Sequence, residues 1–580
     1  MPDFSFAVKS LVLHMSAAHQ PQLQKGLWGF SLLLLASFTQ PVKGEDGGLK
    51  VQVTRKGLEY AKDFGLEMLK VFAKKEQIQD ISGSYNVPLL GAVSYTMSGI
   101  RVTQFEVTHS TAAFMEGTGL NLTIHNAQVS LSSRWSLSSW LADSLGMVGF
   151  NATSSSLSPS RSEDGTVDIS LNRLFLSSLL GLGKDARGRP RVSYAGCHSA
   201  LGDVELKFHG GKSWLYNLLA AALKGILQTE VNKQLCPEVK KGIGKLDHLL
   251  SAMNVSAQID SFVGLDYSLV NEPSVGVDQC TVDLKGEFFQ VRGHPGPLLP
   301  APFHLPNQPD SMVLLGISEF FANSAAFAYF TSGALRVNYT GRMIPKTVPF
   351  RLNTKNLGVF IPELNKEFPD MEMEIHIAAR KPPVLSIHPG SLEGAAFASV
   401  EAFAVLPNAN LASAFLLNIE ANLTGQVFLR PVQGGTSIGN VAGSLALKSF
   451  HLSVERSSIG EIKVALLESF LKMAGQMALL RANSESRPLS LCSKSSSAFV
   501  SCSIPGKAAL FSYASFSPLM VTLCISLGYL KKGFALPSAN GLSVLNPKVT
   551  MEQGYLLIAT DLSMEPERLR ESIFAPGSSQ

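Results

Sequence analysis

Six prolines fall between Pro295 and Pro309 in the run RGHPGPLLPAPFHLPNQPD, Arg292 to Asp310, and they limit what regular structure this chain can form. Each lacks an N–H and holds φ near −65°, so neither a helix nor a central strand passes through. Polyproline-like geometry makes such a run a semi-rigid spacer that keeps two bodies at a set distance. At 580 residues the chain also exceeds what one hydrophobic core supports. The expected division is a domain over 45–290, a linker over 291–310 and a domain over 311–580.

Each side of the linker carries helical and alternating segments. The stretch TRKGLEYAKDFGLEMLKVFAKK, Thr54 to Lys75, places Leu58, Ala61, Gly65, Met68 and Phe72 on one stripe, which predicts an amphipathic helix. Period-two alternation follows in SYTMSGIRVTQFEVTHSTAAFM, GLNLTIHNAQVSLSSRW and TVDISLNRLFLSSLLGL, predicting antiparallel strands broken at Gly, Ser or Asn. Asn151 to Gly165 is polar and serine-rich, hence a loop. A second helix over Lys212–Leu235, with Leu215, Leu218, Leu219, Ala222 and Ile226 at helical spacing, is expected to end at Cys236-Pro237, with further helix beyond. Past the linker, alternating segments precede a third amphipathic stretch, Ile459 to Asn483, whose apolar side holds Val464, Leu467, Phe470, Leu471 and Ala474. Helices grouped with many antiparallel strands give an α+β fold.

Lys25 followed by GLWGFSLLLLASFTQPVKG reads as a secretory signal with cleavage before Glu45, so 1–44 is a leader and the product is secreted and extracellular. Sequons at Asn121, Asn151, Asn254, Asn338 and Asn422 suit a glycoprotein. Six cysteines, Cys197, Cys236, Cys280, Cys492, Cys502 and Cys524, are compatible with disulfides. Pairing Cys197 with Cys236 would close a loop worth roughly 4 kcal/mol, though about fifteen connectivities are open. Ser484 to Leu530 includes the charge-free run AALFSYASFSPLMVTLCISL, long enough to cross a bilayer but weakened by serines and Pro518.

Chemistry is sparse. Gly435-Thr436-Ser437-Ile438-Gly439 spells a nucleophile elbow, which needs a helix after the serine. The alternating segment NVAGSLALKSFHLSV follows instead, so a hairpin turn is expected, with a serine lipase using Ser437 as the lesser reading. Scattered histidines offer no metal spacing, and no phosphate-binding loop occurs. The chain is read as no enzyme, with no metal and no cofactor. In 45–290, 23 Lys and Arg face 25 Asp and Glu, so no nucleic-acid stripe exists. With 45% hydrophobic residues, 16% charged ones and mean hydropathy +0.17, the apolar surplus suits an internal ligand cavity.

The segments TRKGLEYAKDFG, SFVGLDYSLV, LKGEFF, SMVLLGISEFFANSA, MIPKTVPFRL, FPDMEMEIHIAARKPPVLSIHP and EAFAVLPNANLAS, in this order, closely resemble the secreted lipid-transfer and lipopolysaccharide-binding family that includes bactericidal permeability-increasing protein. The resemblance implies an elongated two-lobed boomerang: two antiparallel barrels with long amphipathic helices, joined by a central β-sheet. Each barrel would hold phospholipid acyl chains in an apolar pocket, and the chain would be a monomer of innate defence. The implied partners are lipopolysaccharide or phospholipid, met on membrane surfaces or lipid aggregates. It also selects Cys197–Cys236 as the disulfide, leaving Cys280 unmatched.

Two departures bear on function. Where the bactericidal member has lysine-rich tip loops, YNVPLLGAVSY offers Asn86, Pro88 and Ala92, and SSRWSLSSWLAD keeps Arg134 and Trp135 but shows Ser136, Ser139, Trp140 and Asp143. Fewer cations mean fewer charge-assisted bonds to phosphate, so antimicrobial killing by charge is doubtful, and a carrier of neutral phospholipid is the alternative. Arg134, Trp135 and Trp140 are the head-group candidates, Trp140 dipping into a membrane interface. The segment 484–529 is the other departure, an insertion ahead of LKKGFALP that would loop out.

Overall fold

The computed structural model describes residues 46–75, 80–87, 91–139, 163–210, 213–293, 296–343, 351–430, 440–483, 534–535 and 542–564. The leader and its cleavage site, Trp140, Asn151, Ser437 and the 484–529 segment lie outside them.

The first strand lies inside a sheet and is paired on both sides. In β1 (Leu49–Thr54) the sequence LKVQVT alternates, sending Lys50, Gln52 and Thr54 to one face and Leu49, Val51 and Val53 to the other. It pairs antiparallel with β10 (Gln279–Leu284) and with β12 (Val313–Ser318). With β9 (Ser274–Val275), β20 (Leu542–Glu552) and β21 (Tyr555–Met564), these make a six-stranded sheet in the order β20-β21-β12-β1-β10-β9. Strands from both sides of the proline run therefore share one sheet. The run has no regular structure among its described residues, but it is not a free spacer. Phe303 and Leu305 pack on Leu314, Leu557 and Ala559, the Tyr555 hydroxyl donates to His304 O at 3.0 Å, and Lys50 Nζ stands 5.3 Å from the Phe303 ring centre.

The first half of the chain adds a five-stranded antiparallel sheet in sequence order: β2 (Ile81–Val87), β3 (Gly91–Met115), β4 (Gly119–Ser139), β5 (Glu163–Lys184) and β6 (Pro190–His209). Gly117 and Gly119 part β3 from β4 as expected, while the glycine and asparagine inside the strands are absorbed by bulges. The β3–β4 register slips beside Gly99, and the β4–β5 register slips around Asn126, both at positive φ.

Two helices pack on this sheet: α1 (Arg55–Lys75) on β3, and α2 (Ser213–Ser251) on β6 and β5. In α1, Leu58 and Met68 are buried, but Ala61 and Gly65 face solvent. The contact line passes instead through Lys62, whose Nζ donates to Glu59 Oε2 at 2.7 Å and to Ser110 O on β3 at 3.3 Å. Burial opposes its charge, but the hydrogen bonds to Glu59 and Asp63 leave its pKa raised. The stop expected at Cys236-Pro237 does not occur, and α2 runs through Pro237 for 39 residues. Packing on both sides outweighs the lost backbone bond: Val231 and Leu235 join one apolar cluster, Val239 and Ile243 the next.

A three-stranded sheet of β7 (Ser256–Gln258), β8 (Val263–Asp266) and β11 (Glu287–Gln290) follows. Against β11 lies α3 (Glu319–Thr331), whose Ser324 Oγ accepts from Phe288 N at 3.1 Å. The second half builds a seven-stranded sheet in the order β13 (Arg336–Thr340), β14 (Met373–Ala379), β16 (Ser391–Val405), β17 (Leu411–Arg430), β18 (Asn440–Ser457), β19 (Phe534–Ala535). The remaining strand, β15 (Val384–His388), pairs with β16. The short helices α4 (Thr354–Leu357) and α5 (Pro362–Glu367) belong to this half, and α6 (Val464–Asn483) packs on β18. The last helix starts later than its sequence suggests, because Ile459 and Ile462 precede it as buried anchors.

The fold is mixed, with strands dominant. Among the described residues neither large sheet closes by strand pairing: β2 and β6 are edges of one, β13 and β19 of the other. The barrels expected from the resemblance are thus open sheets with helices packed on them.

Candidate functional site

Each large sheet carries an apolar interior beneath its long helix. In the first half, Met97, Ile100, Val167, Leu171, Leu174, Leu201 and Phe208 form a buried cluster against Ala220, Leu227, Val231 and Leu235 of α2. The alternation seen in the sequence makes this surface, because inward residues of neighbouring strands stack on one face. The disulfide Cys197–Cys236 ties β6 to α2 across 39 residues. On the same junction Asn232 Oδ1 accepts from Leu201 N at 2.8 Å. In the second half, Leu352, Ile361, Leu364, Met373, Val400, Leu417 and Leu452 pack with Ile462 and Leu467, and with Leu471 of α6.

Beside each interior stands a buried hydroxyl that finds no partner among the described residues. Ser178 on β5 is 6% exposed and stands opposite Cys197 on one side and Leu122 on the other, with its Oγ unbonded. Tyr339 on β13 is 6% exposed and opposite Ile375, itself packed on the second core; its hydroxyl is likewise unbonded, and burial raises its pKa. A buried hydroxyl without a partner forfeits its hydration, so each is a polar contact left open within an apolar surface. Sequence reading missed both. The signal was present in RLFLSSLLGL, where period two forces one of Ser177 and Ser178 inward; Ser177 points the other way, bonding Asn121 Oδ1 and Thr123 Oγ1 at 3.1 Å each.

The head-group candidates separate. Arg134 is exposed. Trp135 is only 3% exposed, set edge-on to Phe208 with centroids 5.6 Å apart, and its Nε1 donates to Thr166 O at 3.0 Å. A side chain enclosed in this way is core, so Trp135 is withdrawn as a surface contact. Trp140 lies outside the described residues. Of the sequons, Asn254, Asn338 and Asn422 are exposed, whereas Asn121 is half-buried. Cys280, buried in β10 against Val53, is a free thiol, and burial pushes its pKa up to about 11.

Among the described residues no three His, Cys, Asp or Glu side chains stand together as metal ligands. No helix there is long and apolar enough to cross a membrane.

Comparison with known proteins places this geometry. Residues 57–253 match the LBP / BPI / CETP family, N-terminal domain, and residues 257–486 match its C-terminal domain. The chain is 29% identical over 516 residues to bactericidal permeability-increasing protein of Sebastes schlegelii, spanning 89% of this chain and 95% of that one. It is 28% identical over 452 residues to human lipopolysaccharide-binding protein, covering 77% and 88% respectively. The human BPI fold-containing family C protein is 24% identical over 555 residues, covering 94% and 95%. A crystal structure of lipopolysaccharide binding protein superimposes with a TM-score of 0.51 at 23% identity, covering 90% of this chain and 99% of that one.

Proposed function

Since the chain belongs to the LBP / BPI / CETP family, we propose that it is a secreted, non-enzymatic lipid-binding protein of innate defence. It takes the acyl chains of phospholipid or lipopolysaccharide into two apolar pockets, one beneath α2 and one beneath α6. The observation that carries this reading is the pair of apolar interiors, one beneath each long helix, with a buried hydroxyl beside each, Ser178 or Tyr339, left unbonded among the described residues. Apolar walls suit acyl chains at about 0.8 kcal/mol per buried methylene. A lone hydroxyl suits an ester or glycerol oxygen. On this reading the two halves form two lobes joined through the sheet around β1, and no cofactor is needed beyond the bound lipid.

A carrier of neutral phospholipid with no lipopolysaccharide activity is the second reading, favoured by Asn86, Pro88 and Ala92 where tip lysines would stand. Titration of the purified protein with lipopolysaccharide at two salt concentrations separates them. Salt-sensitive binding supports the defence role; phospholipid uptake with no lipopolysaccharide binding supports the carrier.

A further inference from the structure

The C-terminal half of α2 carries a surface that the buried clusters beneath the helix do not use. Val239, Ile243 and Leu250 turn inward onto Leu180, Val192 and Tyr194. Leu246 and Leu249 follow at a spacing of three, hence on one line, Met253 stands just past the helix end, and the three are 45%, 67% and 50% exposed. On the next line stand Lys241 and Lys245, both exposed.

This stripe is held firmly. The Arg191 guanidinium bonds the Asp247 carboxylate twice, at 2.6 Å each, Asp247 also accepts from Val192 N at 3.0 Å, and Lys240 Nζ lies 5.7 Å from the Tyr194 ring centre. Of the carboxylates on this half of the helix, Asp247 is spent on Arg191, while Glu238 makes with Lys241 only an exposed surface pair, weak enough for a lipid phosphate to replace. Lys245 has no ion-pair partner among the described residues, and the nearby turn adds the exposed Arg187. The surface is therefore cationic along one flank and apolar along the other, the pattern of a helix that lies in a lipid interface.

Direction along the fold sets this surface apart from the tip loops. β6 runs from Pro190 to His209, and α2 returns, so Leu249 lies at the Pro190 end of the sheet, where β5 also finishes at Lys184. Arg134 belongs to the opposite end, paired with Thr166 near the start of β5.

We propose that the exposed Leu246 and Leu249, with Met253 just past the helix end and Lys241 and Lys245 beside them, dock this protein on the surface of an anionic lipid bilayer. Leucine side chains enter the head-group boundary while the lysines meet lipid phosphates, each lysine strengthening attachment about fivefold. The inference stands apart from the acyl-chain pockets, because surface attachment and lipid uptake are read by different assays.

The test uses the full mature chain and its variants Leu246→Ser/Leu249→Ser and Lys241→Gln/Lys245→Gln, with sedimentation on phosphatidylcholine vesicles with and without phosphatidylglycerol, at low and high salt. Both variants are expected to lose binding to the anionic vesicles by about tenfold or more, with the thermal midpoint and uptake of fluorescent phospholipid unchanged. Unchanged anionic-vesicle binding would overturn the proposal. So would equal binding of the parent chain to neutral vesicles, or a parent dimer that the leucine variant dissolves, which would assign the stripe to a second copy of the chain.

Discussion

The side-chain amide of Asn323 pairs with both backbone groups of Leu385, donating to its carbonyl at 2.9 Å and accepting from its N–H at 2.7 Å. It thereby imitates a neighbouring strand for β15 and fastens α3 to the second large sheet. Glu319 Oε2 extends the contact by accepting from Ile387 N at 3.1 Å. Replacing Asn323 with Ala leaves both Leu385 groups unpaired, and the expected loss is about 1–3 kcal/mol. Chemical denaturation of Asn323→Ala against the parent chain checks it, and Asn323→Asp, which keeps only the acceptor, should fall between them.

The Cys197–Cys236 bond closes a separation of 39 residues, for which the chain-entropy argument gives about 4 kcal/mol. The double variant Cys197→Ala/Cys236→Ala should unfold at correspondingly lower denaturant. Because Pro237 follows within α2, amide hydrogen exchange should rise first around residues 232–240 if the bond is what steadies the helix there.

Asp185 organises the turn between β5 and β6. It accepts from Arg189 N at 2.9 Å and Arg187 N at 2.8 Å, and pairs with the Arg189 side chain at 2.7 Å. The Arg189 backbone bond leads in holding its carboxyl down at about 2. A depressed folded-state pKa means the ionised form stabilises the fold above the usual carboxylate value near 4 and loses that contribution as pH falls toward about 2. The difference in thermal midpoint between Asp185→Asn and the parent should hold steady at neutral pH and shrink through that window.

Cys280 is predicted to be chemically silent in the folded chain, since burial keeps the thiol protonated with a pKa of about 11 and the thiolate is the reactive form. Alkylation at pH 8 followed by peptide mass mapping should leave Cys280 unmodified until denaturant is added. Rapid labelling of the native protein would show that β10 opens.

Much of this architecture was legible in the residues. Period-two runs located the strands of both large sheets, and the apolar stripes located α1, α2 and α6. What the sequence concealed has physical causes. Gly99 and Asn126 sit inside the alternating runs, and the period alone does not show that a bulge carries each long strand through a positive-φ residue there. Pro237 looks like a helix stop, yet packing on either side carries the helix onward. Trp135 looks like a head-group contact beside Arg134, but period two sends the two to opposite faces, and only the sheet order reveals that Phe208, two strands away on β6, covers the indole. Strand β1 is six residues long, too short to stand out, and its central place depends on partners more than 200 positions away. Period two could have shown that one of Ser177 and Ser178 turns inward, but that Ser178 and Tyr339 lack a hydrogen-bond partner is a property of tertiary structure alone.

The most direct test of the lipid-binding account is mass spectrometry of what co-purifies with the mature chain from a eukaryotic secretory host. The account predicts diacyl lipid bound at up to two molecules per chain, with Ser178→Ala and Tyr339→Phe each altering which lipids are retained without lowering the yield of folded protein. A chain that co-purifies with no lipid, and that takes up no fluorescent phospholipid or lipopolysaccharide when these are supplied, would contradict it.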